Sequence, residues 1–341
     1  MGNDLSSSPS PPASAVISFQ DAVKNYGRAK TIGPVNLDVK KGEVLGFLGP
    51  NGSGKTTCIR MMLGLIRPST GKVLVNGLNP ISNHVNSLRN VAYSPELPNI
   101  QTFLTPSELL SLVLHELHFS GSDRQAEVRR VLELVGLTNY ADTKVGKLSK
   151  GMVQRLSVAQ ALIGSPEVLV LDEPMIGLDP AGSSHFRELF RQFSKEHNGT
   201  VFMSSHIMSE VESLCTSVAL IHNGRIVFRG TIDEVIRSTL EFTAIVVESS
   251  PLSEVTLSRI RALDGVSEVQ IGQAKNGNTL TETEIIVRSG QSSELRSIIS
   301  QLIVNSGAKL FTIKQAENLL ERAYIEALKG NDGKKREDNL Q

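Results

Sequence analysis

The sequence predicts an α/β fold: a mostly parallel sheet flanked by helices, a helical block inserted into it, and a smaller α+β unit appended toward the C-terminal end. Three observations point there. Short apolar runs recur up to about residue 230 with helical signals between several of them, as expected of strands buried on both faces. One of these runs leads into a glycine-rich loop that opens a helix. After residue 240 the signals change to the order strand, helix, strand, strand, helix, strand.

Taken in order, the first stretch contains Ser6-Ser7-Ser8-Pro9-Ser10-Pro11-Pro12, lacks the apolar core of a signal peptide and reads as a disordered tail over residues 1–15. Met1-Gly2 with Ser6 fits the myristoylation pattern, a short match in a low-complexity segment. Tyr26 stands at the end of a first strand segment. Residues 43–48 read as a buried strand, 56–65 as a helix and 72–75 as a further strand. Between Thr105 and Gly164 the pattern is helical: Pro106 opens one helix, Asp123 opens a second that ends near Gly136, and Ser149 begins a third. These form a helical block over about residues 97–164. Strands resume at 168–171, 200–203 and 217–221, which closes a first domain over residues 16–235. A second domain, 240–329, has strands at 241–248, 266–271, 282–287 and 309–314 and helices at 252–262 and 292–304, an order that fits a small ferredoxin-like unit. A helix over 316–328 follows it, and the polar residues 330–341 read as a second disordered tail.

The loop carries the chemistry. Gly49-Pro50-Asn51-Gly52-Ser53-Gly54-Lys55-Thr56-Thr57 has the form G-x-x-x-x-G-K-[ST], in which backbone is shaped into a cradle for nucleotide phosphates, and it predicts ATP or GTP. The glycines at 49, 52 and 54 let N–H groups turn inward, and the helix starting near Lys55 aims its positive dipole end at the anion. Lys55 is placed to reach the β- and γ-phosphates, Thr56 to offer its hydroxyl to Mg²⁺, and Thr57 to contact the α-phosphate. Cys58 follows in the first helical turn. There the dipole favours thiolate while burial against the sheet opposes it, so the thiol is either reactive and shielded by Mg-ATP, or inert.

Composition excludes several classes. A length of 341 residues suggests two domains, and 40% hydrophobic residues supply real cores. Thirty-five basic residues balance thirty-five acidic ones, which gives no whole-chain sign of a nucleic-acid binder. The two cysteines, Cys58 and Cys215, offer neither a disulfide framework nor metal-ligand spacing, in keeping with a reducing cytosol. No window approaches eighteen consecutive apolar residues, so the chain itself is not expected to span a membrane.

A second cluster narrows the reading. It consists of Leu148-Ser149-Lys150-Gly151-Met152-Val153-Gln154-Arg155, followed by Val168-Leu169-Val170-Leu171-Asp172-Glu173-Pro174. With these the chain resembles the ATP-binding subunit of ABC transporters, over about residues 16–230 and with all motifs in the family's order. The first run is similar to the family's signature motif, and Asp172-Glu173 to its Walker B carboxylates. Gly177-Leu178-Asp179-Pro180 is similar to the D-loop, and Ser204-Ser205-His206 to the switch histidine region. Tyr26 is similar to the aromatic that stacks on adenine. The resemblance implies a P-loop NTPase (RecA-like) core that uses ATP and Mg²⁺.

The roles it implies have a chemical basis. Asp172, at the C-terminal end of a buried strand, holds Mg²⁺ through its water shell. Glu173 polarises the attacking water, and a general base of this kind contributes about 10²- to 10⁴-fold. His206 donates to the γ-phosphate, and stacking on Tyr26 is worth about 1 to 3 kcal/mol. Ser149 and Gly151 open a helix whose free N–H groups face the γ-phosphate held by a second subunit, so that two ATP molecules lie in a head-to-tail dimer with Asp179 beside them. Two positions depart from the family. Lys150-Gly151 stands where the consensus signature has two glycines, and Glu96 stands where glutamine is common. Glu96 still supplies an oxygen ligand, adds a negative charge beside ATP, and is assigned to metal sensing and coupling to the helical block.

One ATPase module without a membrane span implies a motor subunit at the cytoplasmic face of the membrane, with a permease on separate chains docking near residues 95–105. The forms Tyr93-Ser94-Pro95-Glu96 and Ser149-Lys150-Gly151-Met152, with the appended C-terminal unit, favour export. The rival class is a soluble ABC ATPase acting on ribosomes or DNA, which usually carries two modules or a long coiled-coil insertion. A regulatory nucleotide binder with little turnover is the third reading, and Glu173 argues against it.

Overall fold

The computed structural model of the chain describes residues 15–27, 30–119, 123–239, 242–275, 280–288 and 291–315, with Leu320, Glu321 and Tyr324. The tail expected over 330–341, all but one residue of that expected over 1–15, and most of the helix expected over 316–328 lie outside these residues. The structure divides into two compact units, Met1–Thr231 and Ile232–Gln341.

In the first unit, β1 (Ala15–Asn25), β2 (Thr31–Lys40) and β4 (Thr70–Val75) form an antiparallel sheet in the order β2-β1-β4, with β3 (Val44–Leu48) and α1 (Lys55–Met62) between β2 and β4 in the chain. Residues 72–75 therefore leave the parallel sheet to which the sequence reading had assigned them. β2 shows why such a sheet forms: it alternates buried and exposed residues, the period-2 pattern of strands with one face in the core.

The main sheet has the order β5-β6-β7-β3-β8-β9, drawn from β5 (Val91–Ser94), β6 (Val168–Asp172), β7 (Thr200–Ser205), β8 (Ser217–His222) and β9 (Arg225–Thr231). It is parallel except for the β8–β9 pair. β3, β6 and β7 are buried at every position because helices cover both faces. The short α2 (His84–Ser87) precedes β5; α6 (Pro180–His197) and α7 (Met208–Leu214) precede β7 and β8. Between β5 and β6 lies the helical block, α3 (Pro106–Glu116), α4 (Arg124–Leu134) and α5 (Lys150–Leu162), as the sequence indicates. Thr105 caps α3 with a full capping box: its side chain accepts from Glu108 N, and the Glu108 carboxylate accepts from Thr105 N. Phe47 and Phe202 meet at 5.2 Å in the core of the main sheet.

Strand register places the site. Leu48 is level with Ser205, and Asp172 with Ser204, so the C-terminal ends of β3, β6 and β7 emerge side by side. That edge of an open parallel sheet is where such folds bind ligands.

The second unit begins with α8 (Ile232–Thr239), then β10 (Phe242–Ser249), α9 (Glu254–Arg261), β11 (Val266–Lys275), β12 (Leu280–Arg288), α10 (Ser292–Asn305) and β13 (Leu310–Gln315). Its sheet is antiparallel in the order β11-β12-β10-β13, the ferredoxin-like arrangement of a βαββαβ chain. Ile245, Val247, Ile285 and Val287 point from one face of this sheet into a core shared with Ile260 of α9 and Ile299 of α10.

Candidate active site

The loop between β3 and α1 has the properties of an anion site. Gly54, at φ 116°, lies in a region closed to L side chains and opens α1 without a side-chain cap. The first helical back-bond there runs from Cys58 N to Gly54 O at 3.0 Å, which leaves the preceding amides for an outside acceptor. The loop is anchored on both sides, by Gly49 N donating to Ser205 O at 3.2 Å and Gly224 N donating to Ser53 O at 2.9 Å. Ser53 Oγ is buried without a partner among the described residues. A cavity of about 300 Å³ opens over the loop, lined by Lys30, Asn51, Thr56, Thr57, Glu96 and Glu173 among others. Lys55 is buried there, with Nζ donating to Gly49 O at 2.7 Å and lying 3.2 Å from Glu173 Oε1.

The carboxylates converge on the same place. Glu173 sits at φ 50°, an unusual angle for a residue other than glycine, and its N–H donates to Ser204 Oγ at 3.1 Å and Ser204 O at 3.2 Å. Its Oε2 accepts from His206, 2.9 Å from Nδ1 and 3.3 Å from the backbone N. Asp172 Oδ1 accepts from the Ser204 hydroxyl at 2.5 Å. Burial pushes the Asp172 carboxyl above the usual carboxylate range; the Glu173 charge adds to this, while the Ser204 and Thr56 hydroxyls and the Lys55 ammonium oppose it. Burial, with help from Asp172 and Glu96, pushes the Tyr93 phenol up to about 12 against the pull of Arg60. Glu210, held by the Ser205 hydroxyl at 2.8 Å, is raised chiefly by burial.

Thr56 and Glu96 line the cavity, and Asp172, hydrogen-bonded to the Thr56 hydroxyl, stands behind it; together they present hard oxygen donors, a set that suits Mg²⁺. No group of three or more His, Cys, Asp or Glu able to hold a metal ion occurs among the described residues. One or two carboxylates completed by substrate phosphates is how Mg²⁺ is usually bound.

The signature residues form a separate cluster. Ser149 caps α5 by accepting from Met152 N at 3.2 Å. A Cβ on Gly151 would lie 2.8 Å from Gly177 O, so glycine is required by close approach to the D-loop segment. Asp179 caps α6 by accepting from Gly182 N at 2.9 Å and lies 3.3 Å from the Arg155 guanidinium of α5. None of Ser149, Gly151 and Asp179 lines the loop cavity. Lys150 is exposed and its stem runs along Gly177. Tyr26 also stays off the cavity lining: it follows β1 with its ring exposed and the Lys24 ammonium 5.7 Å from the ring centre. Ser94 Oγ and Ser157 Oγ, 2.8 Å apart, join the end of β5 near Glu96 to α5.

One alternative left open by the sequence is now decided. Cys58 is fully buried and its thiol is pushed up to about 12 by burial, so the reactive-thiol reading is wrong: desolvation outweighs the helix dipole. Two residues at the site escaped sequence reasoning. Lys30, whose ammonium donates to Gly52 O, belongs to no motif and reaches the loop only through the fold. Ser204 was within view, in the run ending at His206, but a serine at a strand end carries no signal of its own.

Known proteins resemble the chain in sequence and in fold. Residues 32–176 match the model of the ABC transporter family. The chain is 34% identical over 317 residues to the bacitracin transport ATP-binding protein BcrA of Bacillus licheniformis, covering 93% of this chain and 98% of that one. It is 36% identical over 222 residues to the ABC transporter ATP-binding protein NatA of Bacillus subtilis, covering 64% and 88%. Among solved structures, an ATP-binding subunit of an ABC transporter superposes with a TM-score of 0.59 at 29% identity, over 65% of this chain and 92% of that one. A dimeric ATP-binding cassette in a post-hydrolysis state with ADP and Pi shares the fold, with a TM-score of 0.57 at 22% identity over 63% and 98%.

Proposed function

The chain belongs to the family of ABC transporter ATP-binding proteins, and from that membership and the site geometry we infer that it is an exporter's motor subunit, working in pairs at the cytoplasmic face of a membrane beneath a separate permease. The observation that carries the reading is the meeting of Lys55, Asp172, Glu173 and His206 at one edge of the parallel sheet, around a loop built for phosphate. Residues 49–57 hold the triphosphate, with Lys55 on the β- and γ-phosphates and Thr57 on the α-phosphate. Tyr26, exposed just after β1, offers a face to adenine. Bound Mg²⁺, held by Thr56, Asp172 and Glu96, supplies charge neutralisation for the leaving phosphates. Glu173 draws the proton from the attacking water, and His206, within reach of Glu173, orients that carboxylate and the γ-phosphate.

Ser149, Gly151 and Asp179 lie apart from the chain's own loop cavity, which supports a role toward ATP held by a second copy. A cavity of about 650 Å³ between β5 and the helical block, lined by Leu88, Tyr93, Val113, Leu117, Phe119 and Ile163 among others, suits an apolar segment of the permease. Leu97 and Phe103, within residues 95–105, are both exposed apolar side chains available to such a partner. No helix among the described residues is long and apolar enough to cross a membrane.

The test is Glu173→Gln. ATP binding is expected to persist while hydrolysis falls about 10²- to 10⁴-fold, and the variant should run as a dimer with Mg-ATP on size exclusion. It should also retain an integral membrane protein on purification from solubilised membranes. Turnover at the wild-type rate overturns the assignment of Glu173.

A further inference from the structure

Ser204 occupies a position that the motif reading leaves without a role. It is fully buried at the end of β7, level with Asp172 on the neighbouring strand β6. Its hydroxyl has one proton to give and lone pairs to receive. The geometry settles how they are used: the Glu173 N–H is only a donor, so Ser204 Oγ accepts from it at 3.1 Å, and the hydroxyl proton goes to Asp172 Oδ1 at 2.5 Å. A single side chain thus grips two successive residues, the last of β6 and the one that follows it.

That grip falls where the backbone is unusual. Glu173, at φ 50°, is a left-handed bend directly after β6, and it turns the carboxylate back across the strand ends toward Lys55 and His206. The bound Glu173 N–H and the Asp172 carboxylate held one residue earlier fix both ends of the step between Asp172 and Glu173. We propose that Ser204 is a positioning residue for ATP hydrolysis, holding Asp172 and Glu173 in register so that the Glu173 carboxylate meets the attacking water. Ser204 does not line the loop cavity; it acts through Glu173, and the inference rests on the reading of Glu173 as the base.

Ser204→Ala removes one oxygen and leaves the Glu173 N–H its second acceptor, Ser204 O at 3.2 Å, so the strand end retains a backbone bond. A base displaced by a fraction of an ångström to an ångström loses about 10- to 100-fold in rate. The expected result is a fall in kcat of that size, with an unchanged equilibrium affinity for a fluorescent ATP analogue in the absence of Mg²⁺ and a protein that remains folded at the assay temperature, its thermal midpoint lowered by no more than the loss of one buried hydrogen-bonding hydroxyl brings. In the Glu173→Gln background the same substitution should cost nothing further, because a group that acts through Glu173 has nothing left to position. Wild-type kcat in Ser204→Ala overturns the proposal. So does a loss that multiplies onto that of Glu173→Gln, or one that matches the fraction of protein unfolded at the assay temperature. If Glu173→Gln alone turns over like wild type, the reading of the base has failed; if it is inactive and Ser204→Ala is not, only the positioning role has failed.

Discussion

The two units bury polar groups in different ways. Among the described residues, the buried polar side chains of the second unit are all hydroxyls, at Thr243, Ser249, Thr256, Thr281, Thr283 and Ser292. The first unit buries Lys55, Asp172 and Glu173, each at most 6% exposed; Asp172 and Glu173 stand at the C-terminal end of β6, and Lys55 opens the helix that follows the loop after β3 in the same parallel sheet. Taking an ion out of water costs several kcal/mol even after relaxation. A hydroxyl needs only a nearby carbonyl. Charge concentrated at one edge of a sheet therefore marks where the chain carries out its chemistry, and a core of aliphatic residues and hydroxyls marks where it only has to pack. Both units remove apolar area from water, and the first adds a charged network at one edge of its main sheet.

That contrast fails if the two units respond alike to damage. The largest effect is expected from Ile299→Ala, which truncates a fully buried residue of the second unit's core and should destabilise that unit by about 2 to 5 kcal/mol. Calorimetry should show a transition at lower temperature, while phosphate release by the first unit continues. Loss of hydrolysis in step with that transition would show that packing in the second unit also supports the chemistry.

A smaller effect, of another kind, is expected from Lys55→Ala. A charged hydrogen bond is worth roughly 1.5 to 3 kcal/mol, so ATP affinity, measured by titration calorimetry, should fall correspondingly and turnover should be lost. Unchanged affinity with unchanged turnover would remove the phosphate loop from the mechanism and, with it, the reason for burying a lysine beside Glu173.

The smallest effect is none at all. Cys58 lies one residue beyond the phosphate loop but belongs energetically to the packed core, with its thiol pushed up to about 12 and no exposed surface. N-ethylmaleimide followed by mass spectrometry should leave the native protein unlabelled at Cys58, with or without Mg-ATP, and label it only in denaturant. Labelling of the native protein that Mg-ATP suppresses would restore the reactive-thiol reading and move Cys58 from the packing region to the chemical one.

How much of this was legible in the sequence depended on whether the signal was contiguous. Gly49 to Thr57 is one unbroken run with a strand before and a helix after, so its fold and its anion preference follow from local backbone chemistry. The alternation of the last four strands and two helices was likewise readable, because each element carries its own period. Residues 72–75 were read as a strand correctly but given the wrong neighbours, since pairing depends on β1 and β2, which are distant along the chain. Lys30 and Ser204 went unassigned for the same reason.

By itself the sequence determined the order of the phosphate loop, the signature helix, the carboxylate pair and the histidine, and hence the kind of chemistry, because each motif is short and its residues act as neighbours in the chain. Only the tertiary structure decided which of these meet. His206 reaches Glu173 across 33 positions, and Ser204 reaches Asp172 across 32, because β6 and β7 pair in parallel with Asp172 level with Ser204. A slip of one residue in that register would turn Ser204 to the opposite face of the sheet, since successive side chains on a strand alternate, and both contacts would be lost.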